Sequence, residues 1–154
     1  MALLIPLFDA AAVRPGTGAR RPGQYVDGSV LTARRRRINL SARASTAAPP
    51  IMLLYALTSA DGDPAQALAA GQGLADSQGW RTSRRIVDTG TCARPANRPG
   101  WARVRDAVIN GRAHGVVAIS WHHITPDQQL YLDELSWFSC RRAAVHLVHP
   151  ETEQ

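Results

Sequence analysis

Between Ile51 and Pro150 strand-type runs alternate with capped helix-type segments, and this order constrains the fold more than any other feature of the chain. "IMLLYALTS", Ile51 to Ser59, reads as a buried strand whose polar end emerges into a loop. In "DGDPAQ", Asp63 serves as N-cap, Pro64 takes the first helical position and Gln66 the third, which is a capping pattern. Ala65, Leu68, Ala69, Gln72 and Ala75 give the helix a small, mildly apolar face. Gly71 and Gly73 each weaken it by about 1 kcal/mol relative to alanine, so it depends on a sheet to pack against.

Gly79 stops that helix, and "WRTSRRIVDTG" supplies a second strand around Arg84 to Val87 with Asp88 at its carboxyl end. The loop "TGTCARPANRPG" leads to a helix starting near Trp101, with Trp101, Val104 and Val108 on its inner stripe. "GVVAIS", Gly115 to Ser120, is the third strand. Thr125, Pro126 and Gln128 repeat the capping arrangement and start a helix running to about Arg142, with Leu132, Leu135 and Phe138 inward. "AAVHLVHP" is a fourth strand ended by Pro150. The alternation predicts an α/β three-layer sandwich with a mostly parallel sheet of four or five strands. Ser59, Asp88 and the segment from Ser120 to Thr125 should then collect at the carboxyl edge of the sheet, where open α/β folds bind ligands.

The first fifty residues read differently. They carry eight arginines against Asp9 and Asp27 in a background rich in Ala, Gly, Ser, Thr and Pro. Such a segment has little to bury and repels itself, which predicts a disordered Arg-rich leader over 1–50, a domain over 51–150 and a short tail over 151–154. From Ile51 onward ten arginines balance ten acidic residues, so the formal charge of +6 belongs to the leader and does not make the domain a basic surface. Arg34, Arg35, Arg36 and Arg37 form a weak DNA-binding candidate, a mobile tail whose phosphate contacts would ignore base sequence; a solvated charge run is the competing reading. Cys92 and Cys140 cannot form a disulfide framework and no secretory segment is visible, so the cytoplasm with both thiols reduced is expected. The longest apolar run is too short to span a bilayer, and "LLIPLF", Leu3 to Phe8, lacks the flanking positive charge of an anchor, so no membrane partner is expected.

Several short motifs in this order resemble the catalytic domain of serine recombinases, the resolvase and invertase family. The family opens with a strand reading approximately Tyr-x-Arg-x-Ser; here it is "YALTS", with Tyr55 and Ser59 matching and Leu57 at the arginine position. Asp88 matches an acidic residue after the second strand, "TCA" at Thr91 to Ala93 replaces a Ser-Gly element, and "RPGW" at Arg98 to Trp101 matches the start of the next helix. The strongest family mark, Asp-Arg-Leu-x-Arg, corresponds to "HHITP": His122 stands at the aspartate, His123 at the first arginine and Pro126 at the second. The resemblance covers about residues 52 to 150, and the family's long oligomerisation helix and DNA-reading domain are expected to be lacking.

The resemblance implies Ser59 as a nucleophile toward DNA phosphorus, with Asp88 and Arg98 as remnants of the site and His122 and His123 in a degraded motif. Phosphoryl transfer needs fixed positive donors around the transferring oxygens. Leu57 and Pro126 cannot supply them. A histidine with a pKa near 6.5 is mostly neutral at pH 7 and lacks the guanidinium fork. Losing one well-placed oxyanion donor costs about 2.7 to 4 kcal/mol in a protease, so efficient strand exchange is not expected. The leading expectation is a catalytically impaired domain with a regulatory, scaffolding or DNA-associated role, its partners being DNA through the leader and a second copy or another protein. Two enzymatic alternatives stand beside it: an active recombinase using Ser59, and an unrelated small α/β enzyme using His122 or His123. No cofactor or metal is expected, because the helical His-x-x-x-His spacing and a nucleotide loop are both lacking.

Overall fold

The computed structural model describes residues 25–46 and 48–153. In chain order it contains α1 (Gly28–Ala44), β1 (Ile51–Thr58), α2 (Ala65–Gln78), β2 (Arg81–Thr89), a single 3-10 turn (Pro95–Asn97), α3 (Pro99–Ile109), β3 (Gly115–Ala118), the one-turn α4 (Trp121–Ile124), α5 (Gln128–Cys140) and β4 (Ala144–Leu147). The four strands lie in the order β2-β1-β3-β4, and each neighbouring pair is parallel. The architecture is the α/β sandwich with a parallel sheet that the alternation of elements predicts.

The period of two along β1 divides the core. Met52, Leu54 and Ala56 face α2, where they meet Leu68 and Val117. Leu53 and Tyr55 face the opposite way, into a larger cluster holding Trp101 and Val104 of α3 and Tyr131, Leu135 and Phe138 of α5. Because α2 is built of small residues it lies close to the sheet: a Cβ at Gly71 would stand 3.4 Å from Leu54 and 3.6 Å from Val117. Gly79 ends α2 at φ 72°, and the amides that follow return to Ala75 and Asp76.

The disordered-leader expectation is corrected for residues 28–44, which form α1 and pack on the sheet; residues 1–24 lie outside the described residues. Leu31, Arg35, Ile38 and Ala42 recur at helical spacing, and Asp27 caps the helix by accepting from the Ser29 amide at 2.7 Å. Leu31 and Ile38 enter the α3/α5 cluster, while Ala42 reaches the α2 side, so α1 straddles the outer edge of β4. There the Asn39 side-chain amide takes the place of a further strand. It donates to the Val145 carbonyl at 2.8 Å and accepts from the Val145 amide at 2.9 Å.

The tail expectation is corrected for Glu151, which is only 1 % exposed. Its carboxylate accepts from Arg35 Nε at 2.8 Å, Arg35 Nη2 at 3.1 Å, the Thr32 hydroxyl at 2.9 Å and the Tyr131 hydroxyl at 2.5 Å. Burial pushes this carboxyl up, but the bonds from Arg35 and Tyr131 outweigh burial and hold it below the ordinary value. Gly28 touches the same segment, where an added Cβ would stand 2.5 Å from the Glu151 carbonyl oxygen. Thus α1 and the chain end fold against each other, and Arg35 is structural.

Smaller boundaries also move. β2 begins at Arg81 rather than Arg84; as an edge strand it exposes Arg81, Arg84 and Arg85, and buried residues alternate with exposed ones only from Arg85 to Thr89. The cap of α5 is Asp127, accepting from the Leu130 amide at 3.0 Å, whereas the Thr125 hydroxyl donates to the Ala93 carbonyl at 2.7 Å. The paired histidines sit on α4, a helical turn of their own.

Candidate functional site

The carboxyl edge of the sheet is shaped by a length mismatch. β1 runs for eight residues and β3 for only four, and their ladder ends at Leu54 and Val117. The Leu57 amide therefore points where no strand continues, and His123 Nδ1 accepts from it at 3.2 Å. This bond fixes the tautomer with the proton on Nε2. Burial lowers the His123 pKa below the ordinary histidine value, and the neighbouring His122 adds to the effect. His123 is thus a neutral stand-in for missing backbone.

Asp88 ends β2 as an acceptor for the next helix. Its Oδ1 accepts from the Gly100 amide at 2.7 Å, and its Oδ2 from the Trp101 amide and the Tyr55 hydroxyl, both at 2.8 Å. Two of the amides that an α-helix start leaves unpaired are satisfied in this way, so Asp88 caps α3 from a distant part of the chain. Gly100 permits the approach: a Cβ there would lie 2.7 Å from three atoms of the carboxylate. Burial drives the Tyr55 phenol well above its ordinary pKa, keeping it a neutral donor.

Arg98 is 3 % exposed, and its donors are spent on the fold. Nε donates to the Cys92 carbonyl at 2.8 Å, Nη2 to the Ala93 carbonyl at 3.4 Å, and Nη1 to the Ile124 carbonyl at 2.6 Å, the His123 carbonyl at 3.3 Å and the Tyr55 hydroxyl at 3.3 Å. A buried guanidinium in this position ties the Cys92–Ala93 loop to α4. Arg98 and Asp88 meet through a shared hydroxyl, that of Tyr55.

No protein-family model matches the sequence, and no curated protein matches it. Among solved structures, the N-terminal catalytic domain of TP901-1 integrase superposes with a TM-score of 0.58 at 15 % identity, covering 64 % of this chain and 76 % of that one. The C-terminal catalytic domain of ISC1926 TnpA, an IS607-like serine recombinase, superposes at 0.56 and 18 % identity, covering 67 % and 73 %. The chain has the serine-recombinase catalytic fold.

Within this serine-recombinase-like domain, Tyr55, Leu57, Asp88, Arg98 and His123 meet through the contacts above. Ser59 follows β1 at the same edge and is exposed, its carbonyl accepting from the Gly62 amide at 2.9 Å in a tight turn. His122 parts from His123: its exposed ring lies 4.2 Å from that of Trp121. The Arg34–Arg37 run is divided, since Arg35 is buried on Glu151, Arg34 donates to the Ser136 hydroxyl at 2.9 Å, and Arg36 and Arg37 are exposed. Thr125 lies at this edge, as expected for the segment from Ser120 to Thr125, but its hydroxyl joins α4 to the Ala93 loop instead of capping α5. Among the described residues no group of three or more His, Cys, Asp or Glu is placed to hold a metal, and no helix is long and apolar enough to cross a membrane.

Proposed function

We propose that this is a catalytically impaired serine-recombinase-like domain that acts by association, with DNA or with another protein chain, rather than by efficient strand exchange. The observation that carries the reading is the commitment of Arg98: a guanidinium spent on four backbone carbonyls and one hydroxyl has little left for a phosphate. Leu57, the neutral His123 and Pro126 support it further, because they stand where the resemblance has arginines. Ser59 keeps a hydroxyl exposed at the carboxyl edge. Exposed Arg36 and Arg37 are the part of the arginine run suited to DNA phosphates. A cytoplasmic location accompanies this reading, in keeping with the free thiols of Cys92 and Cys140.

The test is incubation of the full chain with supercoiled DNA, followed by denaturing electrophoresis for a covalent protein–DNA adduct. The expected result is none. An adduct that vanishes in Ser59→Ala would establish an active recombinase and overturn the proposal.

A further inference from the structure

A cavity lies at the opposite edge of the sheet from Ser59. It measures about 700 Å³ and is bounded by the second half of α1, the chain around Pro49 and Pro50, and the starts of the strands at Trp80, His114 and Ala144. This is within the usual size range of small-molecule sites. The cavity exists because α2 is the helix packed over its face of the sheet, while α1 straddles the edge of β4 and sends only Ala42 to that side.

Its lining is chemically one-sided. It contains no aspartate or glutamate. Arg35 is already matched by Glu151, but Arg36 and Arg43 have no acidic partner among the described residues. They are seven residues apart on α1, two turns along one face, or about 10 Å. Both lining histidines are set as donors by the fold. His114 Nδ1 accepts from the Ile51 amide at 2.9 Å. His146 Nδ1 lies 3.3 Å from Asn39 Nδ2, whose amide oxygen is engaged by Val145, so this ring nitrogen is the acceptor. Each imidazole is left with its proton on Nε2.

The remaining wall is aromatic and apolar. The Trp80 and His146 rings lie 4.0 Å apart, inclined by 39°, beside Met52 and Leu147. Donors without opposing acids select an anion, and an aromatic wall selects a planar body attached to it.

We propose that this cavity is a binding site for a free nucleoside phosphate, with the planar base against Trp80 and His146 and the phosphates held by Arg36 and Arg43. The site is separate from the Ser59 edge, so it stands or falls independently of the catalytic reading.

The test is calorimetric titration of the full chain with ADP, adenosine and inorganic pyrophosphate. ADP is expected to bind saturably below about 1 mM, with each half-ligand at least about tenfold weaker. R36E/R43E should weaken ADP by about tenfold or more at an unchanged melting temperature, whereas R94E/R103E, the same charge change elsewhere, should leave it unaltered. Three results would overturn the proposal: no saturable ADP binding, equal affinity in R36E/R43E, or pyrophosphate binding as tightly as ADP. Displacement of ADP by a 5′-phosphorylated oligonucleotide at equal concentration would reassign the site to strand ends and overturn a free nucleotide as its ligand.

Discussion

Replacing Glu151 by alanine removes the acceptor of four hydrogen bonds and strands the Arg35 guanidinium, which is 6 % exposed, without its counter-charge. Breaking a buried ion pair from one side costs about 3 to 5 kcal/mol, because the remaining charge keeps its desolvation penalty and loses its partner. Against a typical total stability of about 5 to 15 kcal/mol, one substitution near the chain end would consume a large share of the fold. Removing both charges is different in kind. Arg35→Met combined with Glu151→Leu leaves no orphaned ion and should cost less than Glu151→Ala alone, even with the Thr32 and Tyr131 hydroxyls unpaired. The assay is urea denaturation followed by tryptophan fluorescence, comparing midpoints at constant slope. A loss below about 1 kcal/mol for Glu151→Ala would refute the reasoning. So would an unchanged midpoint after removal of residues 1–50, since α1 buries Leu31 and Ile38 at about 1.5 to 3 kcal/mol each.

Asp88→Ala should lower stability by about 1 to 3 kcal/mol through loss of the α3 cap and the Tyr55 bond, and Gly100→Ala should also destabilise by pushing the carboxylate aside; thermal melts measure both. His146 is held down to about 4 from an ordinary 6.5, first by burial and then by Arg35. Its neutral form is the folded one, so the unfolded chain takes the proton first. The contribution is complete above pH 6.5 and disappears as the pH falls to about 4, by about 3 kcal/mol. Urea midpoints across that window should show the slope in the parent chain and a shallower one in His146→Phe.

The sheet was legible because its central strands are continuous apolar runs and α2 starts on a recognisable cap. The helix α1 was not. Its inward stripe contains Arg35, and the carboxylate that makes an inward arginine tolerable is Glu151, 116 residues away. Counting charge along the chain therefore read a buried pair as repulsion. Asp27 followed by Leu31, Arg35, Ile38 and Ala42 is the local signal that would have found the helix. β2 was shortened for a related reason, since an edge strand facing solvent has little need for apolar alternation.

At the carboxyl edge, residue positions were more readable than roles. Asp88, Arg98 and His123 do gather near the end of β1, but each satisfies backbone. Those bonds depend on where α3, α4 and the Cys92–Ala93 loop arrive in space. Sequence spacing carries no information about a carbonyl approaching from another element.

The side-chain amide of Asn39 on Val145 has a consequence for self-association. A sheet propagates into a fibre only when both flanks accept a neighbour. Here one flank is closed off by an asparagine and the helix that carries it, while the other, β2, is lined by three exposed arginines that repel a copy of themselves. Joining two molecules flank to flank along β2 would use up the remaining docking rail, so growth by this route stops at a pair.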